Sequence, residues 1–298
     1  MSRYDDLSWY GRVANLSQQN GWWNNQLMNQ PRHLRRNVMI FVIGVLSLAM
    51  AGGLITNTGQ EAGGLVFILG PILMMVLLRS LGGDGWHDAG LRLDLRSKWR
   101  WYVFAVLAYP VSIGLVLALG SAIGVTSLSL NISAFVPALL FGVLSQLIPR
   151  LLLAACEELG WRGYLEPRLA AAGFADLPRH LLVGVVWASW HIPLILTTDY
   201  TDLDHEVFFP LFAVGVITTA LVYGQLRKAS GSVWTSVLMH GVGNAVAWAL
   251  IQNSMVVINN KVLANIAPEG VFMFLLWGGI AWLLFNREWL FKREAVRG

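Results

Sequence analysis

Glu157 and Glu158 stand side by side at the end of a long apolar run, in Ala155-Cys156-Glu157-Glu158-Leu159-Gly160-Trp161-Arg162-Gly163. Ionisable groups beside or within membrane-length apolar segments are rare, are usually paired, and mark functional sites by default. Two later apolar segments carry polar groups of their own: Trp187 with His191 four residues on, and His240 with Asn244 four residues on. One Glu, two His and one Asn are groups that could together hydrolyse a peptide bond. A carboxylate activates water as a general base, while His and Asn donate to the developing oxyanion. The same Glu157, His191 and His240 would equally make a Zn²⁺ site with a position left for water, although no His-Glu-x-x-His motif is present. Spacing alone does not choose between the two.

Local spacing assigns further roles. Residues four apart share a helix face, so Glu158 reaches Arg162 and Glu157 aligns with Trp161. An Arg beside one carboxylate favours its charged form, and burial disfavours the charge of the other. That suits Glu157 as base, held next to a structural Glu158–Arg162 pair. Pro193, two residues after His191, removes a backbone donor and bends its helix, which is tolerated where backbone lines a cavity. Taken singly, each group has a plain structural use: a solvated helix end for the acids, an interhelical hydrogen bond for His191, a polar clamp for His240 and Asn244. Their convergence carries the argument.

These groups must be positioned by membrane helices. The chain is 56% hydrophobic and 13% charged, half the charge of an ordinary soluble domain. The predicted class is an all-α polytopic bundle. About eight segments approach the roughly 20 residues needed to span: 38–56, 63–78, 101–124, 134–156, 181–196, 208–226, 233–251 and 271–285. The basic balance of +4 does not indicate nucleic acid, because the cations lie between the apolar runs. With residue 1 inside, alternate connections are Arg- and Lys-rich: Arg32, Arg35 and Arg36, then Arg79, Arg92, Arg96, Lys98 and Arg100, then Arg162, Arg168 and Arg179, then Arg227 and Lys228, and finally Arg287, Lys292, Arg293 and Arg297. The others hold Glu61, the acidic stretch 199–206 and the single cation Lys261. That asymmetry places both termini in the cytoplasm, in a multi-pass cell-membrane protein. His191 and His240 then enter from the cytoplasmic side to a depth of roughly 10–15 Å by the helical rise. Glu157 meets them in the same leaflet, which predicts a cytoplasm-facing site.

Four regions follow: a polar, Trp-rich cytoplasmic tail (1–36), three N-terminal membrane helices (37–133), a core with the polar groups (134–250), and a last helix with a basic tail (251–298). The first apolar stretch is long enough to remain as a helix, so no cleaved leader is expected. Cys156 is the single cysteine, which excludes an internal disulfide.

The run Glu157-Glu158-x-x-Trp161-Arg162-Gly163-x-Leu165, then an aromatic-x-x-x-His, then His-x-x-x-Asn, resembles the CPBP family of intramembrane proteases. This is the CAAX-protease and bacteriocin-processing group, also called the Abi or type II CAAX prenyl endopeptidase family. The resemblance covers about residues 134–249, with the motifs in the family's order. It departs at Trp187, where Phe is usual, which predicts a tighter pocket behind a preserved aromatic wall. The resemblance implies Glu157 as the water-activating base, His191, His240 and Asn244 completing the centre, and Glu158 with Arg162 in support. It implies a hydrophobic or lipidated peptide substrate in contact with membrane lipids, and leaves Zn²⁺ open. Eukaryotic members remove the last three residues after a prenylated cysteine; others act in bacteriocin maturation, immunity or scaffolding. The rivals are therefore a non-catalytic immunity or scaffold protein that uses the cluster as a clamp, and a transporter using it as an ion relay. No internal repeat supports the transporter.

Overall fold

The computed structural model describes residues 32–295; the expected tail, up to residue 31, lies outside the described residues. The fold is an all-α membrane bundle. Its helices are α1 (Arg32–Asn57), α2 (Ala62–Ser80), α3 (Leu95–Ala122), α4 (Ile132–Gly160), α5 (Glu166–Ala171), α6 (Asp176–Thr197), α7 (His205–Ser230), α8 (Val233–Gln252), α9 (Lys261–Ala264) and α10 (Val271–Ala295). A two-stranded antiparallel ribbon, β1 (Thr126–Leu128) with β2 (Val256–Ile258), pairs Ser127 with Val257. It occupies connections that the sequence pattern reads as loops.

Among the described residues six helical stretches are long and apolar enough to cross a membrane: α1, α2, α3, the α4–α5 run, α6 and α7. Eight were expected. α10 adds a shorter apolar stretch, Val271–Asn286, and α8 is long enough but carries Thr235, Ser236, His240 and Asn244. Most of α8 is buried by other helices, so it does not need a lipid-facing composition.

α4 does not stop at Cys156, as the apolar run suggested. It continues through a π-helical turn, Trp161–Leu165, into α5, a 40-residue stretch to Ala171. A π turn shifts the backbone ladder and leaves carbonyls short of partners, and such turns concentrate at functional sites. Two arginines answer them. Arg79 donates from Nε (3.1 Å) and Nη2 (2.5 Å) to Gly163 O, and Arg227 donates from Nε to Arg162 O at 3.1 Å. Close approach of α2 to α4 requires Gly160, where an added Cβ would lie 2.4 Å from Pro71 Cβ. Gly241 does the same for α8 against Leu151 of α4.

The two faces of the bundle follow from the connections. One face carries the start of α1, the 81–94 loop, the α5–α6 turn and the α7–α8 turn. Val233 N–H donates to Gly90 O, Lys98 Nζ donates to Ala229 O, and Lys228 pairs with Asp176 there. The opposite face carries residues 58–61, the ribbon, residues 198–204 and residues 259–270, tied together by the Lys261–Asp202 pair and Asn259 N–H to Val125 O. Four residues counted as loop cations from the sequence are buried instead. Arg79 pairs with Asp88, Arg162 with Glu158, Arg168 with Asp84 and Asp88, and Arg179 with Asp176. They hold helices together, and the charge asymmetry must rest on the exposed cations.

Candidate active site

α4 presents both carboxylates to the interior. Glu157 is 7% exposed, and Glu158 and Arg162 are wholly buried, so the acids do not form a solvated helix end. The expected pair is present: Arg162 Nη1 lies 3.1 Å from Glu158 Oε2 and 3.2 Å from Oε1. Arg162 Nε and Nη2 have no acceptor. Its guanidinium instead lies over the rings of Trp187 and Tyr223, 4.5 and 4.6 Å from their centroids, where the ring faces attract a cation.

α8 brings in His240. Its Nδ1 lies 2.9 Å from Glu158 Oε1, and its Nε2 lies 3.9 Å from Glu157 Oε1. α6 brings in Trp187, whose indole Nε1 donates to Glu157 Oε2 at 2.9 Å. These contacts link Arg162, Glu158, His240, Glu157 and Trp187 in one buried chain. His191 sits one turn beyond Trp187. Its Nδ1 is 2.9 Å from Trp187 O, and because a carbonyl only accepts, Nδ1 carries the proton. Nε2 is then the free nitrogen of the neutral ring.

Glu157, His191, His240 and Asn244 all line one cavity of about 870 Å³, together with Trp187. Asn244 is exposed, and its side chain has no hydrogen-bond partner among the described residues. The structure therefore brings the four expected residues to one space, with Glu157 and His240 adjacent and His191 and Asn244 on its walls. Much of the lining is apolar, including Leu65, Phe67, Ile68, Leu153 and Phe212.

Zn²⁺ fits this arrangement poorly. Among the described residues no three His, Cys, Asp or Glu side chains form a group that could hold a metal ion.

Three lining features escape the sequence motifs. Tyr109 of α3 and Thr219 of α7 reach the cavity from helices without a chemical signature. Arg150 precedes Glu157 by seven residues, two turns along the same face of α4. It lines the cavity, and its guanidinium lies 5.9 Å from the Trp248 ring centroid. That spacing was a readable signal.

Exposed lining residues include Glu61, Ala62 and Leu65 near the α1–α2 turn, Tyr200, and Leu153 and Asn244 within the span. Depth along each helix puts the polar groups in one layer but does not tell which end of the layer opens.

Comparison with known proteins is consistent with the motifs. The model of Rce1-like type II CAAX prenyl endopeptidases matches residues 145–246, a stretch that contains Glu157, Glu158, Arg162, Trp187, His191, His240 and Asn244. A curated relative, CAAX prenyl protease 2 of Methanococcus maripaludis, is 25% identical over 153 residues. The match takes in 48% of this chain and 50% of the relative, so the chain spans about half the length of the protein it resembles.

Proposed function

We propose that this chain, whose residues 145–246 form a core of the CPBP family of intramembrane proteases, hydrolyses a peptide bond in a hydrophobic or lipidated membrane peptide. The observation that carries the reading is the 3.9 Å gap between Glu157 Oε1 and His240 Nε2 on the wall of an apolar-lined cavity. A separation of that size is too long for a direct hydrogen bond and suits one water held by both groups. Glu157 takes a proton from that water as its oxygen attacks the carbonyl carbon. The C–N bond then breaks, and the proton passes from Glu157 to the leaving amine. Trp187 orients the carboxylate through its indole N–H. Glu158 and Arg162 fix the His240 ring; the Asn244 amide is placed to donate to the oxyanion, as is His240 when its Nε2 carries a proton, while the free Nε2 of His191 accepts a hydrogen bond.

The lining favours a peptide with an apolar flank. A prenyl group, as the relative's name implies for that protein, is one such flank. Zn²⁺ has no role in these steps.

The test compares Glu157→Gln, His191→Ala, His240→Ala and Asn244→Ala with the quadruple variant on one cleavable membrane peptide. Groups acting as a unit lose rate non-additively, so each single change should cost nearly as much as all four. Asn244→Ala, which removes one oxyanion donor, should lose about 10²–10³ in rate. Full activity in Glu157→Gln, or independent multiplying losses, would return the cluster to a helix clamp in a scaffold protein.

A further inference from the structure

We infer that Arg150 is a specificity-determining residue: its guanidinium holds a carboxylate of the substrate peptide, a few residues from the scissile bond. This rests on the proteolytic reading above and adds a second anchoring point in the same cavity.

The observation is a cation without a counter-charge. Arg150 stands eleven residues before the π turn, roughly 16 Å along α4 and well inside the span. An arginine at that depth is costly and ordinarily faces a cavity and a partner. Arg79, Arg162, Arg168 and Arg179 each have a carboxylate partner. Among the described residues Arg150 has none, and its Nε, shielded from solvent, meets no acceptor. The carboxylates that share its cavity, Glu61 and Glu157, do not pair with it. Its guanidinium lies 5.9 Å from the Trp248 ring centroid. That is the outer limit of a cation–ring contact, and a ring face gives its N–H donors no acceptor.

Position supplies the rest. Arg150, Leu153 and Glu157 line the cavity as one stripe of α4, at i, i+3 and i+7. Arg150 and Glu157 are thus two turns apart, roughly 10 Å along the axis. Trp248, which the guanidinium approaches, lies two turns past His240 on α8. Both helices therefore set the cation apart from the Glu157–His240 pair. A peptide cut at that pair, extended at about 3.3–3.6 Å per residue, brings a group a few residues from the cut to Arg150. The planar fork of a guanidinium matches a carboxylate through paired hydrogen bonds, and among apolar walls such a pair is stronger than in water. Two sources carry that chemistry: the C-terminus of a peptide that ends just past the cut, and an Asp or Glu side chain.

The test uses the full chain in detergent and one cleavable membrane peptide that ends a few residues past the cut. The peptide is made in three forms: with a free C-terminal carboxylate, with a C-terminal amide, and as the amide with one Asp near the cut. Each is assayed on the unmodified protein, on Arg150→Met and on Arg150→Lys. A carboxylate form should be preferred over the plain amide by about ten- to hundredfold in kcat/KM, carried by KM. Arg150→Met should remove that preference, and Arg150→Lys, which keeps the charge without the fork, should keep part of it. Preference for the free acid names the terminus as the source, and preference for the Asp form alone names a side chain. Equal rates on all three forms, or a preference that survives Arg150→Met, overturn the inference. Where Arg150→Met does not fold, an undiminished preference in Arg150→Lys overturns it and a reduced one supports it. Binding of the same peptides, fluorescently labelled, to Glu157→Gln keeps the two readings apart. Carboxylate-dependent binding that is lost with Arg150→Met, in a protein that cleaves nothing, would sink the proteolytic reading and leave the carboxylate site standing. Glu157-dependent cleavage with no carboxylate preference would do the opposite.

Discussion

The ring of His240 faces two adjacent carboxylates at once: Nδ1 is 2.9 Å from Glu158 Oε1, and Nε2 is 3.9 Å from Glu157 Oε1. One nitrogen fixes the ring and the other is left for chemistry. The neighbouring acids thus divide their work by direction rather than by type. Glu158 turns to the buried Arg162, and Glu157 turns to the cavity.

Arg162 sets the first expectation. Its pair with Glu158 has no exposed surface, and removing one partner of a buried pair costs about 3–5 kcal/mol, against roughly 0–1 for an exposed one. Arg162→Ala should lower the melting temperature in detergent as well as abolish turnover. Arg162→Lys should not restore either, because a compact ammonium does not lie flat over the Trp187 and Tyr223 rings. A melting curve unchanged in Arg162→Ala would place the pair in solvent.

Trp187 sets the second. Where the family usually has Phe, this chain has an indole whose N–H donates to Glu157 at 2.9 Å. The sequence reading foresaw an aromatic wall and a tighter pocket but not this bond. A hydrogen bond to a charged group is worth about 1.5–3 kcal/mol, and each 1.36 kcal/mol is tenfold in rate. Trp187→Phe should therefore fold normally and lose about ten- to a hundredfold in turnover. Unchanged turnover would show that the bond does not position the base.

Metal dependence is the third. The donors of Glu157, His191 and His240 do not gather into a metal-holding group, and Asn244 suits an oxyanion better than zinc. Chelation of the purified protein should leave Glu157-dependent turnover largely intact. Zinc present in equal amount to active protein, and lost in step with activity, would overturn this expectation.

Glu269 gives a pH dependence outside the spans. It is 6% exposed, accepts from Asn265 Nδ2 at 2.8 Å, and burial pushes its carboxyl up to about 7. An acid whose folded value is raised binds more protons folded than unfolded between the two values. Stability therefore falls as pH rises from about 4.5 to about 7, by on the order of 3 kcal/mol in full. Melting temperature against pH should slope downward through that window, and Glu269→Gln should flatten it. A slope that survives the substitution would assign the effect to another group.

The sequence by itself determined the class and the residues of the candidate site. Composition and apolar runs specified a helical membrane bundle, because backbone groups in lipid must pair internally. The i, i+4 spacing gave the Glu158–Arg162 pair, because helix periodicity is local. The pairing of Trp187 with Glu157 and of His240 with Glu158 was not legible, since each joins residues 30 and 82 positions apart and depends on how α4, α6 and α8 pack. Nor was the passage of α4 through a π turn, which persists because Arg79 and Arg227 reach its carbonyls from α2 and α7. The fate of four arginines as buried partners was likewise decided only in three dimensions. A charge or a depth read along one helix does not say what the neighbouring helices cover.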